Sequence, residues 1–154
     1  MKQSLLLLNH HHEPFFNILP EDWQEAIVPH WNHYQNDSKI YVLKDANKIV
    51  AGGIVFSTCP PDMINHKEEA EWWFENGYLY IGFLFVAESH RNQKLGSQWI
   101  EALKDSTPNR GFWLVIEEDG LGNFYEKHQF KMEKIIQSST TTEWLYAFKP
   151  DVSD

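Results

Sequence analysis

The sequence predicts an α/β domain built on a mixed sheet, and three observations predict it. Residues 78–86 are almost wholly apolar, which is typical of a strand buried on both faces. A helical pattern and a second apolar run, residues 111–116, follow, and this order favours two parallel strands joined by a crossover helix. Paired apolar runs on either side of this unit favour antiparallel hairpins. The 154 residues, 42% of them apolar, suffice for one domain over residues 1–154.

The N-terminal third predicts a strand and a helix. Residues 4–8 are expected to form a short buried strand. Over residues 21–35 the large apolar side chains recur at helical spacing on one face. These side chains are Trp23, Ile27, Trp31 and Tyr34. Pro29 lies inside this helix, so we expect it to kink the helix or to begin a second short one.

Two hairpins and three connecting segments complete the chain. The first hairpin is predicted over residues 38–44 and 48–58, around Asp45-Ala46-Asn47. Residues 62–77 are predicted to form a long acidic loop, helical around residues 68–74. The pattern after the central strand predicts, in order, a helix over 92–105, a strand over 111–116, a short helix over 120–128, and a closing hairpin over 130–137 and 143–149.

Charge and cysteine content exclude several classes of protein. The net charge of −9 opposes binding to the phosphate backbone of nucleic acid or to an anionic membrane. Cys59 is the only cysteine, which excludes an internal disulfide framework and fits a reducing, cytoplasmic compartment. The first apolar run, residues 5–8, is too short for a signal or membrane segment. The histidines at 10–12 would point to alternating faces of a strand, and His30 and His33 have helical spacing but no evident third ligand, so no metal is expected.

The segment after the central strand has the chemistry of an anion site. A strand ends, a turn follows and a helix opens within residues 86–97. Free backbone N–H groups and the helix dipole favour an anion at such a point. Arg91 and Lys94 add positive charge in an acidic chain, and Gly96 lets a ligand approach the backbone. An ordinary helix start with two solvated cations remains the alternative.

A second segment carries a tyrosine suited to proton donation. Phe124 and His128 lie four residues apart, with Tyr125 between them. A phenol has a pKa of about 10, so it holds its proton at neutral pH and can donate it. The alternative is a tyrosine that packs its ring and makes one hydrogen bond.

Together the two segments resemble the GNAT superfamily of CoA-dependent N-acyltransferases. The phosphate motif of that family is Arg or Gln, two residues, Gly, one residue, then Gly or Ala. Arg91 and Gly96 match it, and Lys94 stands in place of the first glycine. A later Phe-Tyr-Glu-Lys-x-Gly-Phe run of the family matches residues 124–130, with Gln129 in place of glycine. The order of elements is similar over nearly the whole chain.

The resemblance implies a mostly antiparallel sheet with a central parallel pair that splays to hold acetyl-CoA. Strand backbone at Leu84, Phe85 and Val86 would face the pantetheine arm. Tyr125 would lie near the thioester sulfur as general acid. The diphosphate would be held at the helix start, by Arg91, Asn92, Gln93, Lys94, Leu95, Gly96 and Ser97. Many relatives have an Asn seven residues before the Tyr; here that position is Glu118, and Asn123 substitutes if the helix start is shifted.

The implied reaction moves an acetyl group to a primary amine of a small molecule or peptide by direct attack. Glu117 is the first candidate base, because period-two counting puts it on the face of Trp113 and Val115. The rival candidates are Glu118, Glu75, His66 and a water chain. In the family the loop before the central strand borders the acceptor site. Trp72 and Trp73, beside the glutamates at 68, 69, 71 and 75, are therefore candidates to hold a cation.

Two other classes of protein stay open on the sequence. The departures at Lys94, Glu118 and Gln129 would also suit a silent CoA-binding module that acts as a sensor or partner domain. An α/β interaction domain with no CoA site is the third class. The expected partners are acetyl-CoA and an amine, without nucleic acid or membrane, and a homodimer is open.

Overall fold

A computed structural model describes residues 4–150 as one seven-stranded sheet with helices packed against it. The sheet order is β1-β2-β3-β4-β5-β7-β6. The strands are β1 Leu6–Leu7, β2 Ser38–Asp45, β3 Lys48–Phe56, β4 Tyr78–Val86, β5 Gly111–Ile116, β6 Phe130–Gln137 and β7 Thr142–Phe148. The helices are α1 Glu13–Phe16, α2 Glu21–Ile27, α3 Trp31–Tyr34, α4 Lys67–Glu75, α5 Leu95–Ser106 and α6 Gly122–Glu126.

One strand pair is parallel and the others are antiparallel, which confirms the predicted fold class. The parallel pair is β4 with β5, joined by α5 as the crossover. Both strands have the predicted bounds, because each is a continuous apolar run that needs burial on both faces. The two antiparallel hairpins, β2–β3 and β6–β7, lie on either side of this pair.

Helices cover both faces of the sheet at β3. A Cβ at Gly52 would lie 2.7 Å from the Phe15 ring of α1, and a Cβ at Gly53 would lie 2.7 Å from the Trp99 ring of α5. Successive strand residues point to opposite faces, so the two helices pack on opposite sides. Trp99 also donates a hydrogen bond from Nε1 to the Tyr41 carbonyl at 2.9 Å, which ties α5 to the sheet.

The helices before β2 break at Pro29 as the sequence predicts, but they include one helix, α1, that the sequence does not predict. The predicted helix over 21–35 breaks at Pro29, as expected: α2 ends at Ile27, a 3-10 turn spans Val28–His30, and α3 begins at Trp31. The short helix α1 was not predicted, because four residues carry too little periodicity to recognise.

Two predictions are wrong, one about the burial of a strand and one about the start of a helix, and each has a physical reason. The N-terminal strand is an exposed edge strand, since β1 pairs only with β2 and its leucines are 43% and 44% exposed. The helix predicted from residue 92 begins at Leu95, because Asn92 and Lys94 adopt left-handed backbone angles that interrupt a helix. The acidic loop does contain a helix, α4, preceded by the 3-10 segment Pro61–His66.

Neither a membrane span nor a metal site is found within residues 4–150. The helices there are too short or too polar to cross a bilayer. No group of three histidine, cysteine, aspartate or glutamate side chains in this part of the chain could hold a metal ion. His12 instead accepts a hydrogen bond at Nδ1 from Trp31 Nε1 at 3.2 Å.

Candidate active site

The parallel strands β4 and β5 separate within the sheet. They pair from Tyr78–Gly111 to Tyr80–Trp113 and no further. Beyond that point β4 continues to Val86 alongside β3, and β5 continues to Ile116 alongside β7. A cavity of about 480 Å³ opens between the diverging strands, and Leu84 lies in its wall. The backbone edge of β4 that faces β5 therefore has no strand partner where the cavity begins.

A bulge in β4 explains the separation. Gly52 pairs with Phe85 and Ile54 pairs with Gly82, so β4 carries one more residue than β3 over this stretch. Phe83 lies in the bulge with a φ of 56°, a left-handed value that is costly for an aromatic residue. An extra residue bends a strand and increases its twist. The bulge thus turns the end of β4 away from β5.

Backbone donors collect at the start of α5, close to the end of β4. The first hydrogen bond of the helix runs from Gln98 N–H to the Lys94 carbonyl at 3.0 Å. The N–H groups of Leu95, Gly96 and Ser97 therefore precede the helical ladder, and no side chain caps this end. The positive end of the helix dipole lies at the same point.

The side chains predicted to surround this anion site leave it open. Asn92, Gln93 and Lys94 are all exposed. Arg91 is exposed as well, but it lies against β4: its guanidinium is 5.1 Å from the centroid of the Phe85 ring, and Nε donates to the Val86 carbonyl at 3.4 Å.

The two sequence motifs contact each other in the fold. A Cβ at Gly96 would lie 3.3 Å from the ring of Phe124, which is on α6. The missing side chain therefore makes room for Phe124 on that side of the helix. Tyr125 follows Phe124, and its ring packs near Phe130 and Tyr146, at centroid distances of 5.7 and 6.4 Å. Asn123 is exposed and does not line the cavity.

Tyr125 lines the cavity that opens where the β4–β5 pairing ends. Burial raises the pKa of Tyr125 to about 12, because the surroundings of the phenol solvate a phenolate poorly. The phenol therefore holds its proton at neutral pH. It can donate a hydrogen bond into the cavity, but it cannot act there as a base.

Carboxylate side chains also line the cavity. Glu117 and Glu118 follow β5 directly, and three further carboxylates come from distant segments. These three are Asp22 of α2, Asp62 before α4 and Glu143 of β7. Sequence reasoning identified Glu117 and Glu118 but missed the other three. No local pattern marks them, because only the long-range strand pairing brings them to the cavity.

Three of these carboxyl groups lie within electrostatic reach of one another. Asp62 accepts a hydrogen bond from the Tyr80 hydroxyl at 3.1 Å. Although the Asp62 residue is open to the cavity, burial of its carboxyl raises its pKa; the Tyr80 bond opposes that rise and Glu117 adds to it. The pKa of Glu143 is raised by burial first, then by the charges of Glu117 and Asp62. A cation in this part of the cavity would relieve the repulsion.

The other expected acceptor residues lie away from the cavity. Trp73 is a core residue, stacked on Trp113 at 6.0 Å, and its Nε1 donates to Glu69 at 2.9 Å. Trp72 is 53% exposed on α4, and neither tryptophan lines the cavity. The structure therefore does not bring this pair of tryptophans to the cavity. Glu75 is also outside the cavity wall, whereas His66 is close enough to lower the pKa of Glu143.

Solved structures share this fold at low sequence identity. A Bacillus subtilis acetyltransferase in complex with CoA is 10% identical and has a TM-score of 0.68, with 96% of this chain and 99% of that chain covered. An acetyltransferase from Thermus thermophilus is 14% identical, with a TM-score of 0.63 over 95% and 97% of the two chains. A ribosomal L7/L12 alpha-N-protein acetyltransferase in complex with coenzyme A is 18% identical, with a TM-score of 0.63 over 96% and 95%.

The likeness to these solved structures shows only the fold, because the sequence identities are low. The family is shown by a comparison of sequences. No curated protein sequence matches the chain. The model of the acetyltransferase (GNAT) family matches residues 5–130, which is most of the chain and includes both motifs. Together with the β4–β5 separation and the open start of α5, this match shows that the chain belongs to the GNAT acetyltransferase family.

Proposed function

We propose that the protein is an N-acetyltransferase that moves an acetyl group from acetyl-CoA to a primary amine of a small molecule or peptide. The observation that carries this proposal is the cavity at the end of the β4–β5 pairing. It has the Tyr125 phenol and a set of carboxylates in one wall. A donor thioester and a cationic acceptor need different chemistry, and this cavity offers both.

The CoA half of the proposal rests on backbone groups. The free edge of β4 at Leu84, Phe85 and Val86 offers N–H and C=O groups to the amides of the pantetheine arm. The N–H groups at the start of α5 suit the diphosphate. The exposed cations at Arg91 and Lys94 add charge attraction there. This arrangement needs no glycine at position 94, because the backbone N–H is available whatever the side chain.

The acceptor half rests on the carboxylates. An aliphatic amine is protonated at neutral pH, since its pKa is near that of lysine, about 10.4. The acidic wall attracts the ammonium form, and one carboxylate or a water next to it must then remove a proton. We assign this step to Glu117, with Asp62 and Glu143 as its neighbours. The raised pKa values of Asp62 and Glu143 make each a stronger base than an ordinary carboxylate.

The proposed reaction is a direct transfer. The neutral amine nitrogen attacks the thioester carbonyl carbon, and the carbon–sulfur bond breaks as the amide forms. The electron pair leaves with the CoA sulfur. Backbone N–H groups of β4 stabilise the oxyanion, and Tyr125 donates a hydrogen bond to the sulfur as its negative charge develops.

The raised pKa limits what Tyr125 does. A thiol has a pKa of about 8.5, whereas that of Tyr125 is about 12, so complete proton transfer to the thiolate is uphill by roughly 5 kcal/mol. We therefore assign to Tyr125 a hydrogen bond that stabilises the leaving sulfur, with the final proton coming from water or from the acceptor.

A binding test followed by a turnover test examines this proposal. At a hundred times its dissociation constant, acetyl-CoA stabilises a protein by about 2.7 kcal/mol, which raises the Tm of a domain of this size by roughly 5–10 °C. The turnover test measures free CoA thiol with a panel of amines: polyamines, aminoglycosides, amino acids and N-terminal peptides. We expect a Tm shift, and thiol release only when a cationic amine is present.

The alternative functions give different results in the same tests. A silent CoA-binding module shows the Tm shift but releases no thiol with any amine. A domain without a CoA site shows no Tm shift at millimolar acetyl-CoA, and this result would overturn the proposal altogether.

A further inference from the structure

Tyr80 lies at the point where β4 and β5 separate, and the proposed reaction gives it no role. It forms the last β4–β5 pair, with Trp113, and only 1% of the residue is exposed. The centroid of its ring lies 4.6 Å from that of Trp113 and 6.0 Å from that of Phe56. A Cβ at Gly82 would lie 3.1 Å from the Tyr80 ring, so the ring uses the space that the missing side chain leaves on β4.

The Tyr80 hydroxyl joins β5 to the cavity through two hydrogen bonds. Val115 lies two residues beyond the last β5 residue that pairs with β4, and its backbone N–H donates to the Tyr80 oxygen. The hydroxyl itself donates to Asp62 Oδ2 at 3.1 Å. Burial and the charge of Asp62 raise the pKa of Tyr80 well above its ordinary value, so the phenol keeps the hydrogen that it donates.

This hydrogen bond fixes Asp62 against the sheet. Asp62 belongs to the 3-10 segment Pro61–His66, whereas Tyr80 and Val115 belong to the two strands that separate. Asp62 and Tyr125 line the same cavity. Within the described part of the chain, the Asp62 carboxyl makes its hydrogen bond at Oδ2, which leaves Oδ1 for a ligand in the cavity. Burial opposes ionisation of this carboxyl, and the bond from Tyr80 favours it.

We propose that Tyr80 is a positioning residue for the acceptor: its hydroxyl, held by the Val115 N–H, fixes the Asp62 carboxylate so that Oδ1 accepts a hydrogen bond from the acceptor ammonium. This inference rests on the proposed function, because the ammonium is that of the amine acceptor. The charge of Glu117 acts on Asp62, so an ammonium held at Oδ1 lies close to the proposed base. After Glu117 has taken one proton, an N–H of the neutral amine still donates to Oδ1. The contact therefore exists before and after deprotonation, and no covalent bond to Asp62 forms.

Steady-state kinetics of thiol release test this role at saturating acetyl-CoA. The acceptor is the amine with the highest wild-type kcat/KM among the polyamines, aminoglycosides, amino acids and N-terminal peptides of the panel. Tyr80→Phe keeps the ring and removes the hydroxyl. We expect the KM for the amine to rise about tenfold, the size of one hydrogen bond to a charged group. The kcat should stay within about twofold of wild type, because the lost contact is present throughout the reaction. The Tm shift caused by acetyl-CoA should stay the same.

A double-mutant cycle shows whether Tyr80 acts through Asp62. Asp62→Asn removes the negative charge and keeps the shape of the side chain, and we expect the KM to rise by at least about tenfold. Adding Tyr80→Phe to Asp62→Asn should change the KM by less than about twofold, because the carboxylate that Tyr80 positions is already absent. If Tyr80→Phe alone does not fold, Asp62→Asn decides, and an unchanged KM in that variant overturns the inference.

Tyr34→Phe is the matched control. Tyr34 packs on the same Phe56 ring, at a centroid distance of 5.8 Å, and is 7% exposed. It does not line the cavity. The substitution thus removes a buried hydroxyl from the same group of aromatic side chains and leaves the Tyr80–Asp62 bond in place. We expect the KM and the kcat of Tyr34→Phe to stay near those of wild type.

The outcomes separate this inference from the proposed function. The role of Tyr80 is overturned, and the proposed transfer stays intact, if Tyr80→Phe leaves the KM unchanged or lowers only the kcat. The same conclusion follows if Tyr34→Phe raises the KM equally, or if the effects of Tyr80→Phe and Asp62→Asn multiply in the double variant. A wild-type protein that shows the Tm shift but releases no thiol with any amine overturns the proposed function and this inference together.

Discussion

Lys94 illustrates how a single residue departs from its family pattern at a conformational cost. It is the N-cap of α5, with φ 61° and ψ 27°, in the left-handed region that glycine adopts most easily. The phosphate motif of the GNAT family has glycine at this position. A left-handed residue with a Cβ costs roughly 1–2 kcal/mol, so this lysine is retained against the preference of the backbone.

Replacing this lysine should therefore stabilise the fold. For Lys94→Gly we expect a gain of about 1 kcal/mol, because the left-handed strain is removed while the loss of a flexible side chain costs little. Denaturant unfolding measures the gain. Asn92→Gly is the control: Asn92 has φ 66°, but asparagine tolerates this region, so its gain should be smaller. A Lys94→Gly protein less stable than wild type would contradict this account.

In the proposed reaction, Tyr125 is the residue that stabilises the departing sulfur. Tyr125→Phe removes the hydrogen bond to the departing sulfur, and we expect turnover to fall by roughly a hundred- to a thousandfold, as when one donor to a developing negative charge is removed. Because the pKa of Tyr125 is about 12, the phenol does not titrate below pH about 10. The pH–rate profile of the variant should therefore have the same shape as that of the wild type, with a lower rate at every pH.

Tyr146→Phe is the control for this change. Tyr146 packs in the same aromatic cluster and its hydroxyl bonds with Glu126, but it does not line the cavity. Its turnover should stay near that of wild type. If Tyr125→Phe turns over as fast as Tyr146→Phe while chemistry limits the rate, Tyr125 has no part in the reaction.

At the scale of elements, the position of α6 depends on glycine packing. A Cβ at Gly122 would overlap the Tyr146 hydroxyl oxygen of β7. Alanine favours a helix over glycine by up to about 1 kcal/mol, but overpacking costs about 1–3 kcal/mol, so the clash decides the sign. The absence of a side chain at Gly122 therefore lets α6, and with it Tyr125, lie close against the sheet.

We expect Gly122→Ala to lower stability by about 1–2 kcal/mol and to lower turnover, because α6 must shift. Thermal unfolding and the thiol-release assay measure both effects. Gly120→Ala, two residues earlier, is the matched control: nothing lies within 4 Å of a Cβ there, so stability and turnover should hardly change. Equal effects of the two substitutions would show that the lack of a side chain at position 122 does not set the position of α6.

At the scale of the whole molecule, the fold gathers like charges into one cavity. Asp62, Glu117 and Glu143 come from three distant segments and repel one another. The folded protein holds protons on Asp62 and Glu143 more tightly than the unfolded chain does. This contribution to stability is complete at acid pH and is lost as the pH rises through their raised pKa values. At neutral pH the ionised cluster therefore opposes folding.

Glu143→Gln should stabilise the protein at neutral pH by about 0.5 kcal/mol, a modest value because the group is partly exposed. The gain should disappear below pH about 4, where the wild-type carboxyl is protonated as well. Thermal unfolding across pH gives both values. Glu133→Gln, an exposed site on β6, changes the net charge equally and should give no such gain. A gain that persists in acid would exclude this electrostatic explanation.

The sequence by itself determined most of the strands and helices and marked the segment at the start of α5 as a candidate anion site. The bounds of β4 and β5 can be read from the sequence, because a strand that is buried on both faces must be apolar throughout. The motif residues from Arg91 to Ser97 and Phe124 to Phe130 are local in the chain, so their resemblance to the family is visible without the fold. The left-handed Lys94 escaped sequence reasoning, because side-chain pattern does not report backbone angles.

Only the tertiary structure decided which side chains surround the cavity. The bulge at Phe83 ends the β4–β5 pairing, and the long-range pairing of β7 brings Glu143 next to Asp62. The same packing removed Trp73 from the site and placed His128 between Glu101 and Ser97. Local pattern encodes which element forms, because helix and strand periods are short. Which side chains meet depends on contacts between segments far apart in the chain, and no short window of sequence contains them.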